Sequence, residues 1–303
     1  MLSNLASKLG LSPAQNSSFV VKPRAKSQGK APIQVTYTHN DVPIPDTFLT
    51  TPLAKPITTT RIDWASTPLP ENEGRVALVL DNVLSQEECK QMIALAEDSV
   101  PREVGEEAWR PAMVSLGPGW EAPAPGYRES DRIIWNQQVI VDRLWERCAQ
   151  SEGLRELLAV VPPQSPMGGG KWEFRRYNER MRFLKYSPGQ YFKPHCDGPY
   201  WYEDGKKEFQ THYTVHLYFN DSVDNDPQSD LQGGATSFLA RKGDRRVDVN
   251  PKAGSVLIFQ HRGLFHEGAE VTRGTKYTMR TDILYEWVPD VEPTAETAEE
   301  TAA

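Results

Sequence analysis

Hydrophobic and polar positions change their period along the chain, and this pattern predicts its first elements. The stretch "RVALVLDNVL", residues 75–84, is an apolar run with β-branched residues and predicts a buried strand. Apolar residues then recur at helical spacing from Cys89 onward. Ser85 and Glu88 before them have the spacing of a capping box. We therefore expect an amphipathic helix over about 86–99.

The pattern changes again in the second half of the chain. Residues 101–130 are rich in glycine and proline and predict a loop, whereas the apolar spacing from Trp135 to Val160 predicts one or two helices broken near Gly153. After Lys171 the chain consists of short β-type runs separated by Pro, Gly, Asp and Asn. Such runs with regular turn signals predict a sandwich or barrel.

The two ends of the chain lack these periods. Residues 1–72 are rich in Pro, Ser, Thr and Lys and predict a disordered or extended N-terminal arm. Residues 289–303 are acidic and predict a disordered tail. Between them we expect one domain over 73–288, with helical support in 85–160 and the β-rich core in 171–288.

Composition narrows the classes of function. The chain has 303 residues, a net charge of −7 and a pI near 5.5, so nothing favours nucleic-acid binding. No apolar run approaches the ~18 residues of a membrane span. Three widely spaced cysteines are typical of a reducing compartment. We expect a cytoplasmic protein, with nuclear and mitochondrial locations as alternatives; the oligomeric state stays open.

A possible metal site lies in "YFKPHCDGPY", residues 191–200. His195 and Asp197 are two positions apart, so an extended strand directs both to one side, as metal ligands or as polar residues at a strand end. His266, just after the apolar strand "GSVLIFQ", is the best third ligand. Two histidines and one carboxylate with open positions are typical of non-haem Fe(II) oxygenases, and a zinc site is the alternative.

A second group of polar residues lies late in the chain. One face of a strand over 276–282 carries Lys276, Thr278, Arg280 and Asp282. Turned inward, Lys276 or Arg280 could neutralise a dicarboxylic cosubstrate, while exposed charges are the alternative. Arg128 and Arg182 are candidates for substrate contact, again with solvated charges as the alternative.

These stretches together resemble the prolyl 4-hydroxylase-type iron(II)/2-oxoglutarate-dependent dioxygenases. The resemblance covers about 75–287. Its segments are "LDNVLSQEECKQMIALAE", "NERMRFLKYSPGQYFKPHCDG", "YTVHLYFND", "GGATSF" and "GSVLIFQHRGLFHEGAEVTRGTKYTMRTDILY". It implies a mainly β fold with flanking helices (α+β) and a double-stranded β-helix, or jelly-roll, core.

The resemblance also implies roles for individual residues. The iron ligands would be His195, Asp197 and His266. Lys276, ten positions after His266, matches the basic residue that binds the distal carboxylate of 2-oxoglutarate, and Tyr186 matches a tyrosine of the cosubstrate pocket. Arg280 shares the strand face of Lys276, so either cation could be the anchor.

The implied activity is hydroxylation of an unactivated C–H bond with Fe(II), 2-oxoglutarate and O2, releasing succinate and CO2. The substrate would be a prolyl residue of a protein or peptide, with ascorbate as a candidate ligand and reductant. Three alternatives stay open: a related oxygenase acting on a small-molecule metabolite, a catalytically silent binding protein on the same fold, and a cupin-type zinc hydrolase or metal-dependent decarboxylase.

Overall fold

The computed structural model describes residues 31–117, 119–161 and 169–290. The predictions for the first thirty residues and for most of the acidic tail lie outside the described residues. Within the described ranges the helices are α1 (Gln86–Asp98), α2 (Gln138–Cys148) and α3 (Leu154–Leu158), with short 3-10 helices at Trp64–Ser66 and Pro70–Asn72. None of these helices is long and apolar enough to cross a membrane.

Most of the described residues that lie in regular secondary structure are in strands. They are β1 (Ile33–Gln34), β2 (Thr58–Arg61), β3 (Ala77–Asp81), β4 (Arg110–Pro111), β5 (Val114–Gly117), β6 (Trp120–Ala122), β7 (Arg128–Glu129), β8 (Asp131–Asn136), β9 (Val160–Val161), β10 (Gly170–Tyr177), β11 (Arg180–Tyr186), β12 (Tyr191–His195), β13 (Trp201–Asp204), β14 (Lys207–Tyr218), β15 (Gln232–Gly233), β16 (Thr236–Leu239), β17 (Arg246–Val249), β18 (Val256–Gln260), β19 (His266–Gly268), β20 (Val271–Arg273) and β21 (Lys276–Pro289).

Two antiparallel sheets face each other. The major sheet has the order β2-β3-β18-β14-β21-β11-β8-β4, with β9, β10 and β13 joined to its side, and the minor sheet has the order β17-β16-β19-β12-β7. Phe238 of the minor sheet packs edge-to-face on Phe259 of the major sheet, with ring centroids 5.4 Å apart. The structure is therefore the mainly β, jelly-roll fold with flanking helices that was predicted.

The helices cover the outer face of the major sheet. Helix α1 buries Cys89 and Met92 in the same apolar cluster as strand residues of β14 and β21. Its predicted capping box is present, because Ser85 Oγ accepts from the Glu88 amide at 3.2 Å and Glu88 accepts from the Ser85 amide at 2.8 Å. The helix that the sequence predicts over about 86–99 is thus confirmed.

Strand β21 separates this helix-side core from the space between the sheets. Met279, Ile283 and Tyr285 belong to the core on one face. Lys276, Arg280 and Asp282 line a cavity on the other. Successive side chains of a strand point to opposite sides, so the alternation in the sequence predicts this division correctly.

The stretch predicted as a loop over residues 101–130 contains four short strands. Of these, β5 and β6 pair with β1 in a three-stranded sheet beside the cavity. The segment at Trp135, which was predicted to begin a helix, is instead the end of β8 and pairs with β11. Its buried run from Ile133 to Trp135 is continuous, and such a run does not distinguish a strand from a helix.

The described part of the N-terminal arm, residues 31–72, is largely extended but packs on the domain. Phe48, Leu49, Trp64 and Leu69 are at most 3% exposed. Arg147 of α2 donates to the carbonyls of Leu49 and Thr51. This part of the arm is therefore extended and packs on the domain, which the sequence pattern does not indicate because four widely spaced apolar residues produce no period. The domain boundaries at 72 and 288 stay a prediction.

Candidate active site

Strand pairing brings the three predicted metal ligands together. His195 at the end of β12 lies directly opposite His266 at the start of β19. Asp197 follows two residues after His195, with its Oδ1 3.6 Å from His195 Nε2 and its Oδ2 3.7 Å from His266 Nε2. One ligand atom of each residue lies within 4.8 Å of the others. We call these three residues the ligand triad.

The backbone fixes the orientation of both imidazole rings. His195 Nδ1 lies 2.8 Å from the Lys193 carbonyl, and His266 Nδ1 lies 3.0 Å from the Leu264 carbonyl. Because a carbonyl can only accept, each Nδ1 carries the proton and each Nε2 keeps its lone pair for the centre of the triad. Burial is the main cause that lowers the pKa of His266 to about 4, so this ring is neutral near pH 7.

Asp197 is held as a carboxylate by its neighbours. Burial would raise its pKa, but the charge of Arg280 outweighs burial and holds the pKa well below its usual range. Arg280 Nη1 donates to Oδ1 at 2.6 Å, and Thr214 Oγ1 donates to Oδ2 at 2.5 Å. Thr214 was not predicted as a site residue, and its only sequence signal is that it shares a strand face with His216.

The donor set fits Fe(II). Two imidazole nitrogens and one carboxylate are the protein ligands of non-haem Fe(II) oxygenases, in which the remaining positions stay open for cosubstrate and O2. Hydrogen bonds from Nδ1 to backbone carbonyls are the usual support of metal-bound histidines. In the part of the chain that the structure describes, no other cluster of three His, Cys, Asp or Glu residues has this geometry.

Arg280, predicted as a possible cosubstrate anchor, is already engaged by two carboxylates. Besides Asp197, its Nη2 donates to Asp282 Oδ1 at 3.0 Å. Asp282 also accepts from Arg182 Nη1 at 3.0 Å, so Arg182 is paired rather than solvated. Both arginines therefore have their charge neutralised within the protein.

Lys276, the other predicted anchor, has no such partner. Its side chain is buried, and no carboxylate among the described residues lies within 4.0 Å of its Nζ. The Nζ lies 5.2 Å from the ring centroid of Tyr186 and 5.6 Å from that of Tyr218. Burial lowers the pKa of Lys276 to about 7. Gly234 makes room for this lysine, because a Cβ there would lie 3.1 Å from Lys276 Cδ.

One cavity of about 810 Å³ joins these groups. Its lining includes the ligand triad together with Tyr186, Lys276 and Arg280. Aromatic side chains on the β5–β6 and β13–β14 hairpins also line it and are partly exposed, namely Trp120 at 46% and Trp201 at 48%. Pockets of ~300–1,000 Å³ hold small ligands, so there is room for a cosubstrate and part of a substrate.

Comparison with known proteins gives a family match over the same residues. The model of the family described as the 2OG-Fe(II) oxygenase superfamily matches residues 181–281, a span that includes the ligand triad and Lys276. No curated protein matches the chain.

Solved prolyl hydroxylases are similar to this chain at low identity. The collagen prolyl hydroxylase vCPH of Paramecium Bursaria Chlorella virus-1, in complex with 2OG, is 20% identical; the match covers 70% of this chain and 97% of that chain, with a TM-score of 0.40. A Pseudomonas putida prolyl-4-hydroxylase is 15% identical over 73% of this chain and 98% of its own, with a TM-score of 0.44. A Trichoplax adhaerens prolyl hydroxylase, in complex with a hypoxia inducible factor peptide fragment, is 13% identical. The match covers 71% of this chain and 86% of that chain, with a TM-score of 0.45.

Proposed function

We propose that the chain is a member of the 2OG-Fe(II) oxygenase superfamily, whose model matches residues 181–281. It would be a dioxygenase that hydroxylates an unactivated C–H bond of a prolyl residue in a protein or peptide. Bound iron with O2 and 2-oxoglutarate would supply the oxidising power, placing one oxygen atom in the product hydroxyl and one in succinate, with release of CO2. Ascorbate is proposed as the reductant that maintains Fe(II).

The ligand triad is the observation that carries this proposal. His195 and His266 would each present Nε2, and Asp197 would present one carboxylate oxygen. Because Nδ1 of both rings is held by a backbone carbonyl, the rings need not reorient to bind a metal. This preorganisation supports a metal-binding role over a chance cluster of polar residues.

We assign the distal carboxylate of 2-oxoglutarate to Lys276. A buried ammonium group without a counter-charge is unfavourable, and a carboxylate bound beside it removes that cost. Tyr186 lies next to the same end of the cavity and would complete the carboxylate site with its hydroxyl group. The exclusion of water there strengthens the charge pairing.

We assign Arg280 to the orientation of Asp197 rather than to the cosubstrate. Its two hydrogen bonds, to Asp197 and Asp282, lie on the inner face of β21 beside the triad. An arginine held between two carboxylates keeps one of them in a fixed orientation and ionised. This role would affect metal affinity more than 2-oxoglutarate affinity.

The mouth of the cavity supports a proline-containing peptide as the substrate. Grooves lined by aromatic rings bind proline-rich segments because the extended proline helix is preformed and apolar. Trp120 and Trp201 supply such rings here, and Tyr200, the residue before Trp201, is 43% exposed. A segment lying across these rings could extend one residue toward the triad.

Succinate release tests the proposal. The full chain is incubated with Fe(II), 2-oxoglutarate, ascorbate and O2, with and without a panel of proline-containing peptides, and succinate and peptide mass are measured. We expect Fe(II)-dependent succinate and, with a suitable peptide, a mass increase of one oxygen atom. Asp197→Ala should abolish both, and Asp244→Ala, which removes an exposed carboxylate, should abolish neither. Succinate that forms equally well without Fe(II), or with Asp197→Ala, would contradict the proposal.

A further inference from the structure

Arg128 in β7 is a second cation of the cavity without a carboxylate partner, and its side chain is partly buried. It lines the cavity, and among the described residues no carboxylate lies within 4.0 Å of it. Its Nε is buried without a hydrogen-bond partner, and its Nη1 reaches only the Met113 carbonyl, at 3.5 Å. Burial is the main cause that lowers its pKa to about 10, so it stays charged at neutral pH.

Four other arginines line the same cavity; Arg180 lies over the ring of Tyr37, and the other three are paired with carboxylates. Arg132 contacts Glu121, Arg182 contacts Asp282, and Arg280 contacts Asp197 and Asp282. Their positive charges repel Arg128, as the causes of its lowered pKa include all three. A partly buried guanidinium that has no carboxylate partner and lies among other cations favours the binding of an anion.

The position of Arg128 defines where that anion would lie. Its guanidinium stacks on Phe192, 4.6 Å from the ring centroid, and this ring stacks on His195 at 3.8 Å. These two distances place the guanidinium carbon within about 8 Å of the His195 ring. Stacking uses the face of the guanidinium, and Nη1 contacts the Met113 carbonyl, so the N–H groups on Nε and Nη2, in the plane, remain to bind a carboxylate through two hydrogen bonds.

We propose that Arg128 binds a carboxylate of the substrate, located within about two residues of the oxidised carbon, since an extended residue spans ~3.3–3.6 Å. This inference rests on the proposed function, because it concerns the substrate of the same site. The Phe192 ring lies between Arg128 and His195, and Lys276 supplies a separate cation for the cosubstrate. The carboxylate could belong to a small acid, a peptide C-terminus or an acidic side chain.

Matched acids and amides test the proposal without turnover. The full chain is loaded with redox-inactive Ni(II), which binds imidazole and carboxylate sites, and with saturating 2-oxoglutarate. Calorimetry then measures binding of three pairs: N-acetyl-proline and its amide, acetyl-Gly-Pro-Gly and its amide, and acetyl-Gly-Pro-Glu-Gly-amide and its Gln counterpart. The first pair represents a small acid, the second a C-terminus and the third an acidic side chain.

In at least one pair we expect the acid to bind about tenfold tighter or more, as a bidentate charged contact does. Arg128→Gln should abolish this preference. Arg155→Gln is the matched control, because Arg155 also stacks on an aromatic ring, Trp145 at 5.2 Å, and lies outside the cavity lining. It should leave the preference unchanged.

Every other outcome overturns the proposal. Equal binding of acid and amide in all pairs, including no binding of either, excludes a carboxylate site in the wild type, whether or not Arg128→Gln folds. A preference that survives Arg128→Gln, even with weaker binding of 2-oxoglutarate, assigns the anion to another group. Failure of the proposed function is a separate result, namely the absence of Fe(II)-dependent succinate in the turnover assay.

Discussion

Lys276→Met should selectively weaken the binding of 2-oxoglutarate. Methionine keeps the length and apolar contacts of the buried side chain and removes only its charge. Loss of one partner from a buried, hydrogen-bonded charge pair costs about 2–5 kcal/mol. At ~1.4 kcal/mol per factor of ten, the lower figure is already about 30-fold in affinity.

The assay is the apparent KM for 2-oxoglutarate from succinate release, together with calorimetric binding to the Ni(II)-loaded protein. We expect both values to rise about 30-fold or more. We expect the melting temperature to stay the same or rise, because the variant no longer buries a charge. A change in 2-oxoglutarate affinity of less than about threefold, which is below ~0.7 kcal/mol, would refute the assignment of Lys276 as the anchor.

The pH dependence of binding provides a second measurement on the same residue. Burial holds the pKa of Lys276 near 7 in the free protein. A bound carboxylate favours the ammonium form and raises this pKa. Affinity should therefore fall as pH rises above about 7, by up to tenfold per pH unit until the pKa of the complex is reached. Lys276→Met should lose this dependence.

The remaining predictions concern the triad, its support and the N-terminal arm. Alanine at any one position of the ligand triad should abolish Fe(II)-dependent succinate while circular dichroism shows a folded protein; near-normal turnover would exclude that residue as a ligand. Arg280→Ala should weaken Fe(II) binding about tenfold, as the loss of outer-shell partners of metal ligands commonly does, and change 2-oxoglutarate affinity less than Lys276→Met does. A larger loss of 2-oxoglutarate affinity in Arg280→Ala than in Lys276→Met would make Arg280 the anchor. Removal of residues 1–30 should leave the melting temperature nearly unchanged. Removal of residues 1–72 should prevent folding, because each deleted apolar core side chain contributes ~1.5–3 kcal/mol and total stability is only ~5–15 kcal/mol; a truncated chain that melts like the full chain would contradict the packing of the arm.

The sequence predicts features that depend on local geometry. The two-residue spacing of His195 and Asp197 and the alternation along β21 both follow from strand geometry, and the structure shows both. The capping box at Ser85 likewise needs only a helix that begins at the next residue. Such features can be predicted from the sequence because the local backbone conformation alone determines which side chains share a face.

Several features that depend on contacts between distant segments were not predicted. Arg280 pairs with Asp197, 83 positions earlier. Strand alternation shows which face Arg280 occupies, but it does not show whether Arg280 binds the Asp197 side chain or the carboxylate of a cosubstrate. Phe48 is a core residue. Its segment is held to α2 by Arg143, which donates to the Phe48 carbonyl, and by Arg147, which donates to the Leu49 carbonyl. The unpaired state of Arg128 depends in the same way on which carboxylates the fold gives to its neighbours.

Oxygen isotope incorporation tests the central claim most directly. The full chain is supplied with Fe(II), 2-oxoglutarate and oxygen-18 gas, and the succinate is analysed by mass spectrometry. The proposed dioxygenase activity predicts succinate that carries one oxygen atom from O2, only when Fe(II) is present and only with an intact ligand triad. Unlabelled succinate, or labelled succinate that forms equally well in Asp197→Ala, would contradict it.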